Sequence, residues 1–228
     1  MANILHIETS SEQCGVALAH NANVVGKREV LESGFTRAKQ LHILIDEVLD
    51  ECAVSPDQLD AVAVSSGPGS FTGLRIGCVA AKGLCFALDI PLIALPTLQI
   101  LAAPHTKNSK VVSLLDARRD EVYTAVYEKG GEIKTEMHAH VLTPNSFADL
   151  AAEQVCFVGT GAEKTKDILP SNVNWEFVSS HPSAVAMPAL AFEAFEKKQF
   201  ANMHSFAPAY LKPVRITASK KDALGRSA

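Results

Sequence analysis

The chain has 228 residues, of which 47% are apolar and 20% charged, as expected for a folded protein of one large domain or two lobes. Its net charge of −4 argues against a broad nucleic-acid-binding surface, because phosphate binding needs clustered lysines and arginines. The chain end is a local exception, which we interpret as a solvated tail rather than a binding arm. It carries Lys212, Arg215, Lys220, Lys221 and Arg226 against Asp222 alone.

The five cysteines are scattered without a Cys-x-x-Cys pair, which indicates a reducing compartment. The N-terminus has no basic segment, and its short apolar run ends at Glu8, so it does not predict a signal peptide. No apolar stretch reaches membrane-spanning length without a charge. We therefore expect a soluble, cytoplasmic protein that makes no membrane contact.

The first half of the chain begins with three short strands predicted over 3–8, 14–18 and 24–30. The turns between them are short, which indicates a meander. Thr36 is the predicted N-cap of a helix that runs to about Cys52. This helix has one apolar face at the helical period, and Ile43 and Leu49 lie off that face as surplus apolar surface.

The stretch 61–88 is the most informative part of the sequence. A buried strand over 61–64 is followed by a glycine turn and then by a helix that starts at Phe71. The helix carries only two charges, Arg75 and Lys82, which lie seven residues apart and therefore on nearly the same side. All other directions are apolar or small. Such a helix must be covered on two sides, by the sheet and by something else.

The remaining elements repeat this order. A strand over 91–95 and a short helix capped by Thr97 complete the first half. The second half has predicted strands over 111–115, 121–127, 133–142, 155–158 and 175–178. It also has three predicted helices. The first starts at Thr143-Pro144, the second follows the Gly159-Thr160-Gly161 turn and ends at 169, and the third runs from 182 or 183 to about 198. The order βββαβα thus occurs twice. It predicts an α/β fold with mixed sheets in two lobes, 1–105 and 106–212, and a basic tail over 213–228.

The glycine turn allows two interpretations. Free N–H groups at a helix N-terminus favour anions, so the turn could hold phosphate. However, its spacing departs from the dinucleotide fingerprint, no ribose-binding carboxylate follows the next strand, and there is no Gly-Lys-Ser/Thr. We favour the interpretation that the glycines let the helix approach the sheet and a partner closely. Ser70 does not meet the Gly-x-Ser-x-Gly pattern of serine hydrolases.

Equivalent turns follow the first strand of each predicted lobe, and together they form a weak candidate nucleotide site for ATP or ADP. The site comprises Thr9, Ser10, Asp116, Arg118, Gly159 and Gly161. Glu8 and Asp116 could supply carboxylates for Mg²⁺, whereas ordinary turn chemistry explains the same residues equally well. No firm cofactor, metal site or catalytic residue is predicted, since His138 and His140 lack a third ligand.

Several segments resemble the TsaB family, also called YeaZ. They are ILHIETSSE near the N-terminus, SSGPGSFTGLRIG, DARRDEVY at 116–123, VGTGAEK at 158–164 and PAYLK at 208–212. The resemblance implies a tandem ribonuclease H-like fold of the actin, hexokinase and Hsp70 (ASKHA) type. It also implies a degenerate paralogue of TsaD that helps to make N6-threonylcarbamoyladenosine on the tRNA base just after the anticodon. In that pathway TsaD carries the metal and transfers the group, and TsaE is an ATPase.

The resemblance also implies that the chain forms homodimers or pairs with a TsaD-like subunit through its first two helices, and that it meets tRNA only through the complex. The expected contact residues are His42, Ile45, Leu49, Phe71, Leu74, Arg75, Cys78, Ala81, Lys82 and Cys85. Glu8 stands where many members have Asp, Arg37 where many have His, and the His-x-x-x-His motif of TsaD is absent. The main hypothesis is a non-catalytic dimerising subunit. The alternatives are a nucleotide-binding phosphotransferase or ATPase and, last, a peptidase.

Overall fold

The structure, a computed structural model, describes residues 1–31 and 37–212. The strands are β1 Asn3–Glu8, β2 Gln13–His20, β3 Asn23–Leu31, β4 Ala61–Ser65, β5 Leu92–Leu95, β6 Lys110–Asp116, β7 Glu121–Tyr127, β8 Ile133–Val141, β9 Val155–Val158 and β10 Trp175–Val178. The helices are α1 Arg37–Glu51, α2 Phe71–Leu88, α3 Thr97–Ala102, α4 Ala162–Ile168 and α5 Pro188–Glu196. Short 3-10 helices cover Pro56–Gln58, Ala148–Leu150 and Ala184–Ala186. The predicted N-cap Thr36 and the tail 213–228 lie outside the described residues.

The two halves of the chain build the same five-stranded mixed sheet. The first sheet has the order β3-β2-β1-β4-β5 and the second the order β8-β7-β6-β9-β10. In each sheet the central strand is antiparallel to the strand that follows it and parallel to the fourth strand, so Ile7 pairs with Val16 on one side and Val64 on the other. The predicted repeat of topology and the α/β fold class are confirmed.

The central strands of the first sheet are apolar on both faces because helices cover both. Val62 and Val64 of β4 point towards α1 and α2, whereas Ala61 and Ala63 point towards α5. This alternation follows from the period of two along a strand. The small alanines leave room for the residues around Met187 on the far face.

Three predicted helix starts are wrong, and a local hydrogen bond explains the first of them. No α-helix follows Thr143, because the Ser146 hydroxyl accepts the Thr143 N–H at 2.9 Å and Phe147 adopts a left-handed φ of 59°, which interrupts the helical path. At α3 the N-cap is Pro96, so Thr97 lies inside the helix and is buried. The helix predicted from 182 or 183 is split, since α5 starts only at Pro188, a residue suited to the first helical position.

The last part of the chain crosses back from the second sheet to the first. After β10, the residues around Ala184 and α5 pack on the first sheet next to Ile4 and Ile93. The segment 201–212, which we call the C-terminal strap, then runs along α2, starting with a bridge between Ala201 and Leu92. The predicted lobe boundaries at 105 and 212 stay predictions, but contacts to the first sheet extend well beyond residue 105.

Candidate functional site

Helix α2 lies next to α1 on one face of the first sheet. The Ser70 hydroxyl caps its N-terminus by accepting the Gly73 N–H at 3.3 Å, and Asp89, with a φ of 54°, ends it in the left-handed conformation. By length and composition alone, α2 is apolar enough to cross a membrane. The core helix of a soluble protein passes the same test, and Leu74 and Ala81 of α2 are fully buried in the first lobe.

The structure corrects the placement of six of the ten predicted contact residues. Those buried in the chain's own core are Ile45, Leu49, Leu74, Cys78, Ala81 and Cys85. They offer a partner little surface in this structure, and their role in a partner contact stays a prediction. Of the others, His42 and Arg75 are exposed, whereas Phe71 and Lys82 are half-buried.

The exposed apolar residues of these helices are different ones. On α2, Val79 is 71% exposed and Phe86 74% exposed, and a Cβ added at Gly83 between them would meet nothing within 4 Å. The three residues are spaced by four and three positions, so they form one stripe along the helix. On α1, Ile43 is 55% exposed. We call Val79, Gly83 and Phe86 the helix face. Exposed apolar groups that cluster in this way mark interaction surfaces.

One flank of α2 is covered by the chain's own C-terminal strap. Lys82 Nζ donates a hydrogen bond to the Phe206 carbonyl at 3.2 Å, and Arg75 Nε donates to the Tyr210 hydroxyl at 3.3 Å. The Tyr210 and Phe71 rings lie 4.9 Å apart, and the Arg75 guanidinium sits 3.9 Å from the centre of the Phe71 ring. Both charges of α2 therefore contact the strap, and the helix face is the side left uncovered.

The glycine turn that precedes α2 is packed against the turn after β1. Ser70 N–H donates to the Ser10 carbonyl at 2.6 Å, and the Thr9 hydroxyl donates to the Gly73 carbonyl at 2.8 Å. A Cβ at Gly69 would lie 2.4 Å from the Ser10 carbonyl oxygen. The glycines thus permit close packing, and the Ser70 and Gly73 N–H groups have partners within the chain. This packing takes up the space beside the turn, and nucleotide binding by the first-lobe half of the candidate site stays a prediction.

Glu8 is fully buried next to this turn. Its Oε1 accepts the Ser10 N–H at 2.6 Å, whereas Oε2 has no hydrogen-bond partner. Burial raises the pKa of Glu8 from 4.5 to about 7; the neighbouring Ser10 and Ser65 hydroxyls oppose this shift and the charge of Glu29 adds to it. A magnesium ligand must be ionised and must leave room for further oxygen ligands. Glu8 is fully enclosed and leaves no room for those ligands, so it does not fit that role in this arrangement.

The equivalent turn of the second lobe is exposed. The Asp116 N–H donates to the Thr160 hydroxyl at 3.0 Å, and Asp116 Oδ1 accepts from the Arg118 N–H at 2.7 Å and from Lys164 Nζ at 2.6 Å. The carboxylate is therefore already neutralised by a lysine that sequence analysis did not identify. No hydrogen bond or ion pair within 1–31 and 37–212 joins this turn to the Thr9–Ser10 turn.

Gly159 and Gly161 hold α4 against the end of β6. At Gly159, with a φ of +128°, a Cβ would lie 2.1 Å from the Leu114 carbonyl oxygen. The Gly161 N–H donates to that same oxygen at 3.1 Å. These two predicted site residues therefore pack strand and helix together.

Within the part of the chain that the structure describes, no group of three or more His, Cys, Asp or Glu side chains is placed to hold a metal ion. The rings of His138 and His140 lie 5.9 Å apart, and His140 Nε2 is hydrogen-bonded to the Ser146 hydroxyl at 2.8 Å. Burial lowers the pKa of His140. This histidine therefore helps to close the turn after β8.

Comparison with known proteins identifies the family. The family model described as TsaD, tRNA N6-adenosine threonylcarbamoyltransferase, matches residues 36–218. The tRNA threonylcarbamoyladenosine biosynthesis protein TsaB of Bacillus subtilis is 30% identical over 221 residues, which cover 92% of this chain and 93% of that protein. TsaB of Escherichia coli is 30% identical over 220 residues, covering 92% and 94%. The chain belongs to the TsaB/YeaZ family.

Solved structures agree with this assignment. YeaZ from Pseudomonas aeruginosa superposes with a TM-score of 0.78 at 30% identity, covering 92% of this chain and all of that one. The ethanolamine utilization protein EutJ of Carboxydothermus hydrogenoformans has a TM-score of 0.51 at 13% identity, which shows a shared fold alone. The structure thus has the ASKHA-type architecture that the TsaB resemblance implied.

Proposed function

We propose that this TsaB-family chain is a non-catalytic, dimerising subunit of the complex that adds the threonylcarbamoyl group to N6 of the tRNA adenosine just after the anticodon. It binds and supports a TsaD-like catalytic subunit in the cytoplasm. The similarity to TsaB of two bacteria over nearly the whole chain supports the pathway. The observation that carries the role is the helix face, on which Val79 and Phe86 are each more than two-thirds exposed.

The helix face suits another helix as its partner. Gly83 has no side chain, so the backbone of an approaching helix can come close between Val79 and Phe86. Burial of a phenylalanine or valine side chain contributes about 1.5–3 kcal/mol, so two such residues could supply much of the energy of a stable contact. The same face serves in a homodimer and with the TsaD-like subunit. A TsaE-like ATPase is the third component that the resemblance implies.

The test is Phe86→Glu and Val79→Glu, each compared with Val141→Glu. Val141 is exposed on β8 of the second sheet, so Val141→Glu also replaces an exposed apolar side chain by a carboxylate, but far from α2 in the chain. Sedimentation velocity should show monomers for the two α2 variants and the wild-type state for the control. Binding to the TsaD-like subunit should weaken at least tenfold, because a carboxylate would be buried without a partner. Leu74→Glu would be uninformative, since Leu74 belongs to the core.

Unchanged association of both α2 variants, with themselves and with the catalytic subunit, would exclude this interface. The alternative function, a nucleotide-dependent phosphotransferase, requires the contact of Gly69 with Ser10 to open, because that contact fills the space for phosphate. Calorimetry with ATP and ADP tests it. Micromolar binding that is lost in Asp116→Ala would support the alternative over the subunit role.

A further inference from the structure

The helix face has a gap at its middle and an exposed apolar side chain on each side of the gap. Gly83 is the gap, since a Cβ built there would meet nothing within 4 Å. Val79 lies four residues before it and Phe86 three residues after it, so each is about 4.5–6 Å from Gly83 along the helix axis. A twofold axis through the gap would therefore place Val79 of one copy beside Phe86 of another.

A pocket of about 340 Å³ opens next to the same gap. It is lined by Lys82, Gly83, Phe86, Met203 and His204. The C-terminal strap forms one wall, because Lys82 Nζ donates hydrogen bonds to the carbonyl oxygens of His204 at 3.5 Å and Phe206 at 3.2 Å. The helix face thus carries projecting side chains and a hole side by side. A contact between identical surfaces needs both, since each residue of one copy meets a different residue of the other.

The two ends of α2 carry opposite charges. Arg75 lies about two turns before Gly83, and its guanidinium is positioned by the Tyr210 hydroxyl and the Phe71 ring. Asp89 follows the last helical residue and is exposed, and among the residues that the structure describes its carboxylate has no hydrogen bond or ion pair. The helix dipole adds positive charge at the first end and negative charge at the second. Antiparallel pairing of two α2 helices brings unlike ends together, whereas parallel pairing brings like ends together.

We propose that the helix face binds the helix face of a second copy of this chain, antiparallel about a twofold axis at Gly83, with Val79 of each copy in the pocket between Gly83, Phe86 and Met203 of the other. The inference deepens the proposed function and rests on it, because it names the occupant of the same surface. A second copy already carries the matching projections, holes and charges. Without a side chain at Gly83, the two helix axes can approach to about 8 Å, the short end of the range for packed helices.

Gly83→Cys tests the position of the axis, and Ala87→Cys is the matched control, because Ala87 is also exposed and lies one turn further along α2. The purified chain is treated with oxidised glutathione, and disulfide-linked dimers are measured on a non-reducing gel. An axis at Gly83 brings the two introduced thiols within the Cα separation of about 4.4–6.8 Å that a disulfide needs. Thiols at position 87 would lie about 12 Å apart along the helix axis. Gly83→Cys should therefore give at least tenfold more linked dimer. The wild type, whose Cys78 and Cys85 on α2 are buried, is the blank.

Gly83→Leu tests the close approach without a disulfide. Leucine is a better helix former than glycine and its Cβ has open space, so the urea midpoint of the monomer should rise. The dissociation constant of the homodimer should nevertheless increase at least tenfold in sedimentation equilibrium, because the leucine separates the helices and fills the pocket for Val79. A variant that merely folds poorly would show a lower urea midpoint, so the two measurements together isolate the contact.

The inference and the proposed function fail in different ways. Equal linking of the two cysteine variants, or of neither, would overturn the axis at Gly83, and unchanged self-association of Gly83→Leu would overturn the close approach. A wild-type chain that binds the TsaD-like subunit but stays monomeric would overturn the inference and leave the subunit role intact. If the wild type does not bind that subunit, the subunit role fails, while the comparison of Gly83→Cys with Ala87→Cys still decides the geometry of the homodimer.

Discussion

Replacement of Glu8 by glutamine gives the sharpest test of how the first-lobe turn is built. Glu8 is fully buried and its pKa is raised to about 7, mainly by burial. Between pH 4.5 and 7 the folded chain therefore keeps a proton that the unfolded chain has released. The free energy of unfolding falls by about 1.4 kcal/mol per pH unit across this window, about 3 kcal/mol in total.

Glu8→Gln removes this loss because an amide does not ionise. Its oxygen can accept the Ser10 N–H, and its NH₂ group can donate to the Ser10 and Ser65 hydroxyl oxygens, which have no hydrogen-bond partner. At pH 8, relative to pH 4.5, the variant should gain about 3 kcal/mol of stability over the wild type. Since no part of Glu8 is exposed, solvent screening does not reduce this figure.

His6 on the same strand changes stability with pH in the opposite direction, so the pH dependence of wild-type stability alone does not reveal the effect of Glu8. Burial lowers the pKa of His6 from 6.5 to about 4, against the effect of its hydrogen bond with the Ala17 carbonyl. The unfolded chain binds this proton first, so stability falls as the pH drops from 6.5 to 4. The two slopes nearly cancel in the wild type between pH 4.5 and 6.5. In Glu8→Gln the slope due to His6 remains.

The assay is urea unfolding of the wild type and Glu8→Gln at several pH values from about 4.5 to 8, evaluated by linear extrapolation. Glu12→Gln is the matched control, because Glu12 is an exposed carboxylate of the same lobe and its replacement removes no buried charge. A difference between wild type and Glu8→Gln that stays constant with pH would refute the conclusion that Glu8 is desolvated.

Four further substitutions test the packing and one buried ion pair. Gly83→Ala should raise the free energy of unfolding by about 0.5–1 kcal/mol, because the added Cβ meets open space. Gly77→Ala should lower it by about 1–3 kcal/mol, because the added Cβ would lie 2.3 Å from the Thr9 hydroxyl. The urea midpoints of the two variants test this difference. Phe157→Ala should lower the unfolding free energy by about 3–5 kcal/mol, since this ring is fully buried in the second lobe. Lys110→Met should lower the melting temperature slightly, because it removes the ion pairs with Glu128 and Glu153. The decrease should be smaller at high salt, since both carboxylates are about 40% exposed and salt screens them.

Most of the secondary structure could be predicted because strand and helix periods are strong along this chain. Strands β1, β7, β9 and β10 have the predicted bounds, and the second occurrence of the three-strand meander indicated the repeat before any pairing was known. The prediction failed where a side chain competes with the backbone for a hydrogen bond. The Ser146 side chain satisfies the backbone N–H of Thr143 and replaces the first turn of the predicted helix.

The exposed side of α2 was harder to predict, because a helix that is apolar nearly all round gives no sign of which side faces the sheet. The sequence indicated that α2 must be covered on two sides, but not that its two charged side chains would contact residues 204–210 of the same chain. It also could not show that α5 returns to the first sheet, since that contact joins elements far apart in the chain. Val79 and Phe86 became identifiable only once α2 was oriented.

The closed glycine turn and the exposed helix face are two consequences of one packing arrangement. Gly73 and Gly77 lie one helical turn apart and bring the inner side of α2 against Thr9. Val79 lies about 200° around the helix from Gly77, so close packing at the glycines turns Val79 and Phe86 outward. A chain that opened this turn for phosphate would have to lift α2 from the sheet, and the helix face would move with it.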